Sequence, residues 1–179
     1  MAANQPPWPR QWLMTDERLG GRLWEAVDRL PSGAGIIFRH YRLADPDRLA
    51  LGTELARRAR QRSLTLGVAG SGQLAELLGA ALLHNPDRTG PLPWSLAVHN
   101  EAEARAANEA GAALAFIGPV HATSSHPGRP SLGQERAVEL AAMVGCPAIA
   151  LGGMDESRFL ALRERGFHGF AGIDCWLRT

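Results

Sequence analysis

Four of the six histidines, His40, His84, His99 and His121, follow at the ends of short apolar runs. Imidazole is the side chain whose unperturbed pKa lies nearest neutrality, so such groups meeting at one opening could move protons or hold a metal ion. Taken singly, each is a polar residue where an apolar run stops; the grouping is what points to chemistry. The run PAIAL ends in Gly152 and Gly153, and GFAGI closes with Gly172 and Ile173. Backbone N–H groups left bare at such places suit a phosphate. Asp174, next in line, sets a carboxylate against that expectation. All 19 basic residues are arginine, and the chain has no lysine. Schiff-base chemistry, with pyridoxal phosphate or as a lysine aldolase, is thereby excluded. Arg39 is the guanidinium that falls among these run ends.

Positioning these residues requires short strands alternating with amphipathic segments. The runs 12–16, 35–41, 64–70, 81–84, 94–100, 114–120, 147–153 and 169–176 read as eight strands. Helical patterns fill 21–30, 46–62, 71–80, 101–110, 132–144 and 155–165, with Asp45, Ser131 and Asp155 as expected caps and Gly111, Gly145 and Gly166 as stops. No helix fits between the fourth and fifth strands or after the eighth. A regular βα series without GxGxxG after its first strand predicts a reduced (β/α)8 TIM barrel, in preference to an open doubly wound sheet. The domain spans 1–179, with 1–10 as a loose arm. In a barrel, Thr15, Asp16, Arg39, His40, His84, His99, His121 and the glycine pair share the C-terminal face, where active sites are built.

A net charge of +1 gives no reason to expect nucleic acid or membrane as a partner. The cluster Arg57, Arg58, Arg60 and Arg62 lies on one expected helix without interleaved aromatics and reads as its solvated end. Cys146 and Cys175 lack metal-ligand or disulfide spacing. No apolar run is long enough for a membrane span. The expectation is a cytoplasmic protein with a phosphorylated small-molecule substrate, open to assembly as a homo-oligomer.

The residues resemble the thiamine phosphate synthase and TenI-type thiazole tautomerase family over essentially the whole chain. GPVHATSSH is similar to the family pattern Gly-Pro-aliphatic-x-x-Thr-x-Thr-Lys, with Ser125 at the second hydroxyl and His126 in place of the lysine. AVHNEAEA resembles Ser-Val-His-x-Glu-Glu-Ala, with Ala97 for the serine. AIALGGM and GFAGID resemble the phosphate strands, and IFRHY keeps only Arg39 of Gln-x-Arg-x-Lys. The resemblance implies His99 as the catalytic acid and base; Arg39, His121, Thr123, Ser125 and His126 as substrate-binding; and Gly152, Gly153, Gly172 and Ile173 as the phosphate anchor. No metal ligand is assigned. The family's magnesium aspartates follow strands three and four; here GVAGSG has no acid, and Asp87 sits at an ill-fitting offset. Mg2+ is therefore expected only if synthase activity is retained, and no other cofactor is implied. A synthase makes a diphosphate leave and needs magnesium and fixed cations as charge develops; a tautomerase needs an anchor, an apolar pocket and one proton carrier. The favoured reading is a TenI-like thiazole tautomerase. The alternatives are a thiamine phosphate synthase with altered cation residues, a catalytically silent ligand-binding paralogue, and a metal-dependent hydrolase built on His84, His99 and His121.

Overall fold

The computed structural model describes residues 8–123, 128 and 130–177. Eight parallel strands, β1 (Gln11–Met14), β2 (Gly35–Phe38), β3 (Thr65–Ala69), β4 (Leu82–His84), β5 (Trp94–Val98), β6 (Leu114–Ile117), β7 (Ala148–Leu151) and β8 (Phe167–Gly172), close in sequence order into a barrel. The pairing of β1 with β8, Trp12 opposite Ala171, rules out the open sheet. Around it lie α1 (Leu23–Asp28), α2 (Asp45–Gln61), α3 (Gly72–Leu78), α4 (Glu101–Glu109), α5 (Gly133–Met143) and α6 (Glu156–Arg163). As expected, no helix joins β4 to β5, and among the described residues only a 3-10 turn, Asp174–Trp176, follows β8.

Strands covered on both faces must be apolar throughout, and every residue of β2 and β6 is buried. Trp12 plugs the barrel interior. Its indole packs edge-on against Phe116 at 5.6 Å and lies where a Cβ on Gly35 would stand, 2.2 Å from that position. Phe116 in turn meets the His84 ring edge-on at 5.1 Å, so one aromatic column runs from the plug to the mouth.

Three expectations are corrected. Residues 8–10, expected within a loose arm, are held to β8: His168 Nε2 bonds the Trp8 carbonyl at 2.7 Å, and Phe170 N donates to Arg10 O at 2.7 Å, while residues 1–7 lie outside the described set. Of the three expected caps, only Asp155 accepts from its helix, at Arg158 N; α2 and α5 are preceded by Ala44 and Leu132 without a side-chain cap, because Asp45 already lies inside α2. The arginine cluster is not simply a solvated end. Arg58 stacks on Trp24 at 4.3 Å, and Arg62 donates to the carbonyls of Val27 and, at 2.8 Å, Leu30. The residue that follows α2 thus adds guanidinium donors to carbonyls at and just past the C-terminus of α1.

Candidate active site at the barrel mouth

A cavity of about 400 Å3 opens at the C-terminal ends of the strands, and both His99 and Gly153 line it. His99 stands just after β5, on the residue before the α4 N-cap Asn100. Asn100 accepts from Glu103 N at 2.9 Å, while the Glu103 carboxylate turns back to accept from His99 N at 2.6 Å. This reciprocal capping holds the backbone that carries the imidazole. His99 Nδ1 is bonded to the Gly118 carbonyl. A carbonyl only accepts, so Nδ1 carries a hydrogen and the neutral ring keeps its lone pair on Nε2.

Gly118, just past β6, lies tight against the end of β7: a Cβ there would lie 2.1 Å from Leu151 O. Gly152 and Gly153 have φ of 97° and 61°, and added Cβ atoms would meet Pro119 Cα and Ala122 O, each at 2.6 Å. Both the left-handed backbone and the lack of room demand glycine. Gly172 and Ile173 line the same cavity, with Cys175 Sγ packed where a Gly172 side chain would go. Asp174 lines it as well, so the carboxylate anticipated beside the anchor is there.

The opposite wall is built differently. Thr15 Oγ1 accepts from Arg39 N at 2.9 Å and bonds His40 Nδ1 at 3.0 Å. Arg39 lines the cavity, but its Nε donates to Thr15 O at 3.1 Å and an Nη lies 3.7 Å from Asp16. Burial pulls the Arg39 guanidinium below its usual range, and the Asp16 charge opposes that shift. His40 is buried against Phe38, outside the cavity lining, and burial lowers its pKa. His84 forms part of the floor. Burial, helped by the Arg39 charge, pushes it down to about 3, and its Nδ1 is bonded to Ser95 Oγ at 3.0 Å. A ring kept neutral in this way fills space and orders its neighbours; it exchanges no proton near neutral pH.

The donor set does not fit magnesium. Asp87 places its carboxylate against Gly70, 3.5 Å from where a Cβ would stand, and does not line the cavity. Among the described residues, no three His, Cys, Asp or Glu side chains group around a common point. A divalent ion with a diphosphate calls for carboxylate oxygens directed at it, and the hydrolase arrangement of His84, His99 and His121 does not form.

The structure thus brings together Arg39, His99, Thr123, Gly152, Gly153, Gly172 and Ile173. His121 stands behind Gly153, its Cβ 3.0 Å from where a Gly153 side chain would begin, and does not line the cavity. Its Nε2 is buried without a hydrogen-bond partner, and burial followed by the Arg158 charge lowers its pKa. Ser125 and His126 fall outside the described residues. Among the lining residues that sequence reasoning missed are Met14, Asn85 and Arg158. Asn85, at φ 42°, closes the short β4 by accepting from Ala97 N at 2.8 Å; an Asn before Pro was the available signal. Arg158 reaches back from α6 to donate to Gly153 O, and nothing in its spacing marks it.

Among the described residues, no helix is long and apolar enough to cross a membrane. A family model described as thiamine monophosphate synthase matches residues 13–175. A relative from Aquifex aeolicus (strain VF5), named "Putative thiamine-phosphate synthase 2", is 24% identical over 94% of this chain and 98% of its own length. Thiamine phosphate pyrophosphorylase from Pyrococcus furiosus superposes with a TM-score of 0.78 at 20% identity, over 92% of this chain and 85% of the other. The same-named protein from Bacteroides thetaiotaomicron gives 0.66 at 16% identity, over 96% and 86%. At such identities the structural matches establish the fold.

Proposed function

The chain belongs to the thiamine monophosphate synthase family, and from that premise we propose that it binds a thiazole phosphate and isomerises its ring as a TenI-like tautomerase. The observation that carries this reading is the tethering of His99 Nδ1 to the Gly118 carbonyl, in a cavity that His99 shares with Gly152 and Gly153. Tautomerisation neither gains nor loses atoms: a base takes a proton from one position of the ring system and returns one at another. A single imidazole serves both halves. In the neutral ring, Nε2 accepts the proton; in the imidazolium, the Gly118 carbonyl still receives the Nδ1 hydrogen, so the ring keeps its orientation through both halves. Bare amides at the glycine pair hold the phosphate, and Met14, Ala97, Leu151 and Ile173 supply apolar wall for the heterocycle.

The synthase reading is weaker because its leaving diphosphate lacks partners. Arg39 is already engaged by Thr15 and Asp16, and Asp87, whose carboxylate lies beside Gly70 just past β3, does not line the cavity. Incubating the protein with a thiazole carboxylate phosphate and following ring isomerisation by NMR tests the proposal. Turnover that disappears in His99→Ala supports it; binding without turnover in the wild type leaves a silent ligand-binding protein, and formation of thiamine phosphate from a pyrimidine diphosphate identifies a synthase.

A further inference from the structure

We infer that Arg158 is the cation of the phosphate anchor and sets the preference for phosphorylated over unphosphorylated thiazoles; this rests on the thiazole phosphate reading above. Arg158 lines the cavity together with Gly152, Gly153 and Gly172. Its Nη1 donates to Gly153 O and stands 3.2 Å from where a Gly153 side chain would begin, so the guanidinium lies across the glycine cradle. Its backbone N donates to Asp155 Oδ1 at 2.9 Å, which fixes the turn from which it reaches back. One donor serves the carbonyl, and a guanidinium has four more, arranged in a fork that matches phosphate oxygens.

Charge points the same way. Of the two arginines on the cavity wall, Arg39 is paired with Asp16, whereas Arg158 has no carboxylate partner among the described residues. Asp174 faces the same cavity, and a dianionic phosphate brought beside it needs a compensating positive group. The chain has no lysine to provide one. Arg158 is exposed and, among the described residues, belongs to no ion pair that a ligand would have to break.

The test compares a hydroxyethyl-thiazole phosphate with its unphosphorylated alcohol by titration calorimetry, in wild type, Arg158→Gln, Arg158→Lys and Arg158→Ala. The wild type should bind the phosphate ester at least about 30-fold more tightly than the alcohol. Arg158→Gln keeps a donor for the Gly153 carbonyl while removing the charge, and should cut that ratio by about 10-fold with the alcohol affinity unchanged. Arg158→Lys should fall between the two. If the wild type shows no preference, the thiazole phosphate reading fails and this inference with it. If the wild type prefers the ester and folded Arg158→Gln, checked by its melting curve, keeps the full ratio, only the role of Arg158 is overturned. Equal loss of both ligands would assign Arg158 to loop structure alone and also overturn it. Arg158→Ala, which loses charge and tether together, should lose at least as much preference as Arg158→Gln; a smaller loss contradicts the assignment.

Discussion

The two halves of the mouth are built on opposite plans. On the β5–β8 side, backbone does the work: glycines with positive φ, a carbonyl gripping an imidazole, and amides with no side chain over them. On the β1–β4 side, side chains have satisfied one another. Thr15, Asp16, Arg39 and His40 form one connected group, and His84 is sealed beneath with Ser95. Polar side chains that already hold partners must break those contacts to receive a ligand, whereas bare amides need only shed water. On the proposed reading, the first half receives the anion, while the second is prepared to stay as it is.

That contrast can be broken most sharply at His99. His99→Ala should lower isomerisation by about 100-fold or more while leaving the affinity for thiazole phosphate within about threefold; an equal loss of binding would make the residue part of the wall. Next comes the cradle. Gly153→Ala forces a side chain into a left-handed position against Ala122 O and should cost about 1–3 kcal/mol of stability, with at least about 10-fold weaker phosphate-ester binding. Denaturant titration and calorimetry on one preparation would separate the two losses.

His84 tests the sealed half by pH. Its folded pKa, about 3, lies below the ordinary imidazole value of 6.5, so the unfolded chain binds this proton first as pH falls. Its contribution is therefore complete above about pH 6.5 and is lost toward pH 3, at up to about 1.4 kcal/mol per pH unit. His84→Gln should flatten the stability–pH curve in that window; an unchanged slope would mean the ring is accessible to water. The smallest effect is expected at Arg39. Arg39→Gln should change thiazole phosphate affinity by less than about threefold, since its guanidinium is already held by Thr15 and Asp16. A loss matching that of Gly153→Ala would erase the distinction between the halves.

Much of this architecture could be read from residue order. All eight strands and six helices appear near their expected bounds, because apolar runs of four to six residues separated by amphipathic stretches leave few other packings. His99 and the glycine pair were also legible, since a strand's end determines which face its next residue joins. What the order could not convey was partnership. His40, His84 and His99 look alike in a string; burial and the atoms bonded to each ring divide them into two buried rings held by hydroxyls and one tethered to a carbonyl on the cavity wall. Arg62 shows the same limit, since its role depends on where the end of α1 comes to rest. Arg158 was hidden because it returns from a helix to a loop five residues earlier, a contact that no periodicity encodes.

Gly118 joins the His99 ring to the glycine pair through main chain alone. Its oxygen orients the imidazole, while its missing side chain admits Leu151 and so sets where the next two glycines fall. No rotamer at that position can be retuned. Adapting this protein to a different heterocycle must therefore proceed by resculpting the surroundings, at residues such as Met14 or Ala97, around a hinge point that mutation can destroy but not adjust.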